Sequence, residues 1–399
     1  MKKRNITLVF NHFEREHFGK DVFLVPYSLG KIMKYDVTIV YPLTEGNKNF
    51  PQYYRGVRLF PVKLRGSESS NFLYRELNLF IYIIKNSRKI DVLIRFHNSL
   101  QTKLSAIIYK IIRPSGKLYV KLDINEHKIN LVRNYGRILK KVYNCITRLY
   151  IKCCDVFSCE TQEVYELINK SIDIEYALQD KLLIVQNGFD EDALREMNLR
   201  EMTYNQKSNI FITVGRLGTF PKNTDLILRA LPRLDMQNWK FMFVGPIEPS
   251  FKDKIEKFYK EFPEFVENVV FTGPIYDKEK LWSLYNESKV FVLSSRSEGF
   301  AMVFGEAKRF RNFIVTTHVG GSDETIESGK YGFIYTQDND IELSNVMQDI
   351  INGKLNVDVY GGFRPESLSW SNQLSPVAAI LKNADNINDN KTYDQHVYS

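Results

Sequence analysis

Cysteine is scarce: four in 399 residues, Cys145, Cys153, Cys154 and Cys159, all in one short stretch. They form no Cys-x-x-Cys pair and have no histidine close by, which makes a poor zinc site, so they read as reduced, partly buried thiols. Long apolar runs are missing too. No stretch approaches the roughly 18 uncharged apolar residues of a spanning helix. Behind a basic start, Ile6 to Phe10 is too short for a signal-peptide core. With 44% apolar and 26% charged residues, the chain also lacks the bias of a disordered or fibrous protein. These absences leave an ordinary globular protein, expected in the cytoplasm, long enough for two domains or one large one.

Acidic residues are few in the first part of the chain. Residues 1–150 carry 28 Lys and Arg against 10 Asp and Glu, whereas residues 201–399 carry 22 against 26. This asymmetry predicts an anionic partner for the first half, whether nucleic acid, an anionic lipid surface or a phosphorylated acceptor.

Apolar runs of strand length alternate with helical patterns along the whole chain. Strands are predicted at Ile6–Asn11, Asp36–Tyr41, Val57–Val62, Asp91–Phe96, Lys117–Lys121, Val156–Ser158 and Leu182–Val185. The second half predicts Ile210–Val214, Trp239–Val244, Val269–Thr272, Val290–Ser294, Phe313–Thr317 and Gly332–Tyr335. Continuous apolar strands separated by helices indicate parallel sheets covered on both faces, hence an α/β fold of two doubly wound, Rossmann-like domains. The polar stretch Asp190–Ser208 reads as the linker. Ligands of such sheets sit beyond the carboxyl ends of the strands, and the expected active site is the cleft between the domains.

After the strand ending at Val214 comes Gly215-Arg216-Leu217-Gly218-Thr219-Phe220-Pro221-Lys222-Asn223-Thr224. Two cations in one strand-to-helix loop, Arg216 and Lys222, suit a diphosphate. After Ser294-Ser295 comes Arg296-Ser297-Glu298-Gly299-Phe300-Ala301-Met302-Val303-Phe304-Gly305-Glu306. Glu298 falls in the loop before a helix and Glu306 about two turns inside it. The helix-start amides of Ala301, Met302 and Val303 suit a phosphate. Glu306 suits the vicinal hydroxyls of a ribose, and Glu298 the hydroxyls of a sugar. The plainer alternative is a loop glutamate and a solvated one.

Taken together, Val214-Gly215-Arg216-Leu217, Lys222, Val244-Gly245, Thr272-Gly273, Ser297-Glu298-Gly299-Phe300, Glu306-Ala307 and Gly320-Gly321-Ser322-Asp323-Glu324 resemble, in order and spacing, family 4 glycosyltransferases, group 1 enzymes of the GT-B fold. Ser158-Cys159-Glu160-Thr161, Asn187-Gly188-Phe189-Asp190 and Ser369-Trp370 extend the resemblance over about residues 90 to 380. It implies a retaining transfer of a hexose from a nucleotide-sugar, with uridine the expected base, to a glycan or lipid-linked acceptor in cell-surface polysaccharide or glycolipid synthesis. It also implies an acceptor-binding domain over 1–195 and a nucleotide-sugar-binding domain over 205–370. A helix over 371–383 would return to the first domain, ahead of a polar tail, 384–399.

By that resemblance, Arg216 and Lys222 bind the donor diphosphate, and Glu306 holds the ribose. Glu298 holds the donor sugar beside Gly299 and Phe300, and Met302 and Val303 offer amides to the distal phosphate. The Gly273-Pro274-Ile275 turn frames the base. Neither cofactor nor metal is expected, since the two cations do the work of a divalent ion. Asp190-Glu191-Asp192 and Asp338-Asn339-Asp340 have a metal-like spelling but read as a turn and a helix cap.

The first half departs from the family twice. Many members have a Gly-Gly pair after the first strand, where this chain has the single Gly19, followed by Lys20. Many members also carry a histidine after the strand that ends here at Lys121. Asp123 stands nearest that position, with Glu126 and His127 weaker candidates and His97 a candidate lining the acceptor side. The stretch Lys128–Lys152 has apolar residues at helical spacing (Leu131, Tyr135, Ile138, Val142, Ile146, Leu149) among cations, which suits either an anionic membrane surface or a core-facing domain helix. The chain is thus expected at the inner face of the cell membrane as a peripheral protein. The alternatives are a sugar-nucleotide epimerase or phosphorylase of the same fold and a basic nucleic-acid-binding protein. The last finds no recognisable module here, so no nucleic-acid partner is expected.

Overall fold

The computed structural model describes residues 3–63, 72–124, 137–171 and 173–383. It divides into two compact units, one of Met1–Gly188 with Trp370–Ser399 and the other of Phe189–Ser369.

The first unit is built on an eight-stranded sheet. Its strands are β1 (Asn5–Val9), β2 (Asp36–Pro42), β3 (Tyr53–Tyr54), β4 (Val57–Val62), β5 (Val92–Phe96), β6 (Lys117–Lys121), β7 (Val156–Cys159) and β8 (Leu182–Ile184). Their order is β3-β4-β2-β1-β5-β6-β7-β8, and every pairing is parallel except that of β3 with β4. Helices α1 (Asp21–Met33), α2 (Phe72–Asn86), α3 (Leu100–Ile112), α4 (Arg137–Cys153) and α5 (Gln162–Lys170) connect them. Two apolar clusters cover the sheet. One includes Ile6, Leu8, Phe23 and Ile94 with Trp370, Leu374 and Val377 from the C-terminal segment. The other includes Leu93, Tyr109, Val120, Tyr150 and Phe157.

The second unit holds β9 (Ser208–Val214), β10 (Lys240–Val244), β11 (Val269–Gly273), β12 (Ser288–Leu293), β13 (Phe313–Thr317) and β14 (Gly332–Tyr335). All pair in parallel, in the order β11-β10-β9-β12-β13-β14. Its helices are α6 (Glu191–Glu196), α7 (Thr224–Ala230), α8 (Pro249–Glu261), α9 (Lys278–Glu287), α10 (Met302–Arg309), α11 (Ser322–Ile326) and α12 (Asp340–Ile351). The predicted α/β class and parallel, helix-covered sheets are what is found. This is the doubly wound order, and its direction reverses between β9 and β12. Ligands of such sheets bind beyond the strand ends at that reversal. The reversal brings the loops after β9 and β12 side by side. In the first unit it lies between β1 and β5.

Where the sequence reads as a bare linker, α6 forms instead. Asp190 caps it by accepting from the Ala193 amide at 3.2 Å. Glu191 then reaches Arg309, so a polar stretch becomes a buried ion pair.

Helix α4 also differs from one of its two readings. Ile138, Leu139, Val142 and Leu149 are 46–79% exposed. Thr147 and Tyr150 are buried instead, and Lys103 beneath them donates to the hydroxyls of Tyr143 (2.7 Å) and Thr147 (3.2 Å). The apolar stripe is therefore split: Ile146 packs on the core cluster that contains Tyr150 and Phe157, whereas Ile138, Val142 and Leu149 face outward. Leu131 and Tyr135 of that stripe, Glu126, His127 and the tail 384–399 lie outside the described residues.

Candidate active site

The loop after β9 and the loop after β12 meet in an ion pair. Lys222 Nζ lies 2.6 Å from Glu298 Oε1, with both side chains largely buried. Ser295 Oγ donates to the same carboxylate oxygen at 2.6 Å. Its neighbour Ser294 donates to the carbonyls of Lys222 and Asn223, each at 3.0 Å. One serine of the pair thus fixes the backbone that carries the cation, and the other orients the carboxylate. The lysine stem runs past Gly215, where a Cβ would lie 3.6 Å from Lys222 Cε. Arg216, on the same loop, is exposed and forms no ion pair with a described acid. Ser294 and Ser295 went unassigned in the sequence. Their signal was two adjacent hydroxyls at the end of a core strand.

The loop after β13 shapes the backbone around Glu298. A Cβ on Gly320 would lie 1.8 Å from the Gly299 carbonyl oxygen and 2.7 Å from that of Glu298. Gly321 has φ +86°, and a Cβ there would meet the Phe300 ring at 2.7 Å. Only glycine lets the two loops approach this closely. Helix α10 then begins at Met302. Its N-cap residue, Ala301, has no side chain able to cap it, and Met302 and Val303 are half-buried in its first turn.

Glu306 is half-buried and held by an aromatic partner. Its Oε1 accepts from Trp282 Nε1 at 3.1 Å, and Trp282 itself is buried. Burial raises the Glu306 carboxyl above its ordinary value, although the Trp282 hydrogen bond and the nearby Lys278 work the other way. Lys278 Nζ stands 5.1 Å from the Trp282 ring centroid. In the Gly273-Pro274-Ile275 turn, Pro274 is exposed and Ile275 packs on the apolar cluster that contains Trp282 and Phe304.

In the first unit the strand ends carry a second charged group that the sequence did not reveal. Lys121, fully buried, lies 2.8 Å from Asp21 Oδ2 and pairs also with Glu160. Burial alone would raise Asp21, but Lys121 outweighs it and holds the carboxyl below its usual range. Glu160 is raised, burial leading and Lys121 only partly offsetting it. Above this group, His97 Nδ1 lies 3.3 Å from Asp123 Oδ2, both side chains nearly half exposed. His97 has φ +63° and Asp123 φ +44°, a left-handed backbone that costs about 1–3 kcal/mol at a non-glycine residue. Two adjacent strands thus end in strained residues whose side chains meet. Gly19 closes a short turn (Arg15–Gly19) ahead of α1, and Lys20 beside it lies 3.3 Å from Glu16.

Residues 195–360 match the family described as Glycosyl transferases group 1. That match lies within the second unit. Among curated relatives, the amylovoran biosynthesis glycosyltransferase AmsD of Erwinia amylovora is 26% identical over 299 residues, 69% of this chain and 70% of AmsD. Among solved structures, a glycosyltransferase from Rickettsia africae superposes with a TM-score of 0.67 at 17% identity, covering 99% of this chain and all of that one. Anabaena HepE, solved in complex with UDP, gives 0.61 at 13% identity over 98% and 99% of the two chains. The fold is GT-B.

In the second unit the two metal-like spellings are taken up by structure. Asp190 caps α6, Glu191 chelates Arg309, and Asp192 lies 3.1 Å from Arg195. Asp338 accepts from Arg296 (2.6 Å) and Asn223 (2.9 Å), Asn339 caps α12, and Asp340 pairs with Arg233 at 3.0 Å. No cluster of metal-ligating side chains occurs among the described residues.

Proposed function

We propose that this chain is a retaining hexosyltransferase that moves a sugar from a nucleotide-sugar, a UDP-sugar, to a glycan or lipid-linked acceptor in cell-surface polysaccharide or glycolipid synthesis. One observation carries the reading. In a group 1 domain, at the reversal of the sheet, Lys222 and Glu298 are held together at 2.6 Å by paired serines. AmsD's role in amylovoran biosynthesis favours a polysaccharide product, and the UDP bound by HepE favours uridine.

On this reading, Lys222 and Arg216 neutralise the donor diphosphate and stabilise the leaving nucleotide. They act where other transferases use a divalent ion. The amides of Met302 and Val303 take the distal phosphate oxygens. Glu298, with the Gly299 and Phe300 backbone, holds the hexose hydroxyls. Glu306 receives the ribose hydroxyls, and Pro274 and Ile275 border the base. Donor entry exchanges the Lys222–Glu298 contact for two contacts with substrate, so the apo ion pair is a preorganised placeholder. The leaving diphosphate takes the acceptor proton on the face it departs from, which keeps the anomeric configuration. The protein need only orient the partners and stabilise charge.

The first unit recognises the acceptor. Asp123, paired with His97, and Gly19 are assigned to the acceptor side. The exposed apolar residues of α4, among Lys140, Lys141 and Arg148, suit an anionic bilayer, so the protein works as a peripheral cytoplasmic enzyme at the membrane. No described helix is long and apolar enough to cross one. The positive charge of residues 1–150 is thereby assigned to lipid and glycan, not to nucleic acid.

Incubation with a panel of UDP- and GDP-sugars, followed by NMR of the product's anomeric proton, tests this reading. The expected result is transfer from one UDP-hexose with the donor's configuration kept. An inverted product, or consumption of no nucleotide-sugar by folded protein, would refute it.

A further inference from the structure

The first unit has a cavity of about 800 Å³ at the amino ends of β1, β2, β4 and β5, the end opposite His97 and Asp123. This volume lies within the usual range for ligand pockets, roughly 300–1,000 Å³. Catalytic loops of α/β sheets gather at the other strand ends, so this cavity has no place in the transfer described above.

Its floor is polar. Thr7 Oγ1 donates to Asn5 Oδ1 at 2.6 Å, and Asn5 Nδ2 donates to Thr38 Oγ1 at 3.3 Å. Thr7 and Thr38 are buried at the cavity wall, and the Thr38 hydroxyl, which accepts from Asn5, is left able to donate to a ligand oxygen. One wall is aromatic: the Phe60 and Tyr82 rings lie 5.3 Å apart. The rim is basic. The cavity's two acids are already engaged, Asp36 by Lys3 at 2.6 Å and Asp91 by Arg113. Arg58, Arg88 and Lys89 pair with no described acid.

Hydroxyl-directed donors, an aromatic wall and unpaired cations together select a ligand with many hydroxyls, an apolar ring face and negative charge. We infer that this cavity is a non-catalytic docking site for an acidic oligosaccharide, a stretch of glycan bearing carboxylates. The choice of a glycan over another polyhydroxylated anion rests on the proposed function. Such a site would hold a growing acidic chain on the enzyme between transfers.

Isothermal titration of the full-length protein with hexagalacturonate and with neutral maltohexaose tests the inference. The expected result is that only the uronate binds. Arg58→Ala combined with Lys89→Ala should weaken it by roughly tenfold or more. Arg88→Ala alone should give a smaller loss in the same direction. Lys252→Ala combined with Lys260→Ala, which lowers the net charge equally at exposed positions of the second unit, should leave binding unchanged. Absence of uronate binding, equal loss in the Lys252/Lys260 variant, or full competition by inorganic pyrophosphate would each overturn it. Nucleotide-sugar hydrolysis measured on the same preparations separates the two proposals. If hydrolysis persists without uronate binding, only this inference falls. If hydrolysis is absent while the uronate binds with the expected losses, only the assigned activity falls.

Discussion

Lys222 Nζ and Glu298 Oε1 stand 2.6 Å apart although 76 residues separate them in the chain. The parallel crossover of the sheet creates that contact. β9 and β12 are neighbours only because the chain doubles back across β10 and β11. The pair is mostly shielded from water, so removing one partner leaves the other's charge poorly compensated.

Glu298→Gln should keep the fold and lower kcat by roughly 100-fold or more, the scale of removing one preorganised electrostatic contact. Ser295→Ala should act through Glu298, with a smaller loss that does not add to that of Glu298→Gln. Steady-state kinetics on the single and double variants provide the check. Additive losses would mean that the serine does not act through the carboxylate.

Gly320→Ala places a Cβ against the Gly299 carbonyl, where the available gap is 1.8 Å. The loop bearing Glu298 must then move. A shift of about 1 Å at a reacting centre can cost on the order of 100-fold in rate. Activity should therefore fall steeply, and stability should drop by about 1–3 kcal/mol, the usual range for overpacking. Wild-type rates in this variant would show that the Glu298–Phe300 loop needs no support from the Gly320-Gly321 turn.

The Asp21–Lys121–Glu160 group gives the first unit an uneven response to acid. Glu160 is raised above its ordinary value of 4.5, so the folded state takes up its proton first and gains stability as the pH falls through that raised value. Asp21 is held below 3.8, and its contribution, present above that value, is lost as the pH falls further through the depressed one. Urea unfolding as a function of pH should show this gain before the acid loss. Glu160→Gln should abolish the gain and keep the loss. Lys121→Met should cost about 3–5 kcal/mol at neutral pH, because two buried carboxylates lose their counter-ion.

Helix α4 carries Ile138 at 79% and Val142 at 53% exposure. Replacing both by Asp should lower partition onto vesicles rich in anionic lipid by roughly tenfold, through lost apolar burial and lost attraction together. Sedimentation with vesicles reads it directly. Unchanged partition would place the membrane contact elsewhere.

The thirteen strands read from apolar runs all recur in the structure, with ends shifted by a residue or two. Parallel strands buried on both faces leave an unambiguous apolar signal. β3, two exposed tyrosines paired antiparallel on the sheet edge, has no such signal. Helix α1 goes unannounced because Pro26 interrupts its pattern, yet burial of Phe23, Leu24 and Leu29 holds it. Lys222 and Glu298 were legible as a cation and a carboxylate in adjacent strand-end loops. Their direct pairing and the serines behind them depend on side-chain direction, which spacing does not encode. Lys121 reads as an ordinary strand lysine until tertiary packing brings Asp21 and Glu160 to it from 100 and 39 residues away. The stripe on α4 was visible, but which of its residues met core and which met solvent was decided by α3, where Lys103 takes up the hydroxyls of Tyr143 and Thr147.

The proposed transfer requires Lys222 and Glu298 to mark the place where the donor diphosphate and its sugar bind. Isothermal titration of UDP into the wild-type protein and into Lys222→Ala tests that most directly. One site per chain is predicted, with affinity falling roughly tenfold or more in the variant, as expected for loss of a charge-assisted phosphate contact. UDP binding with equal affinity to both proteins would contradict it.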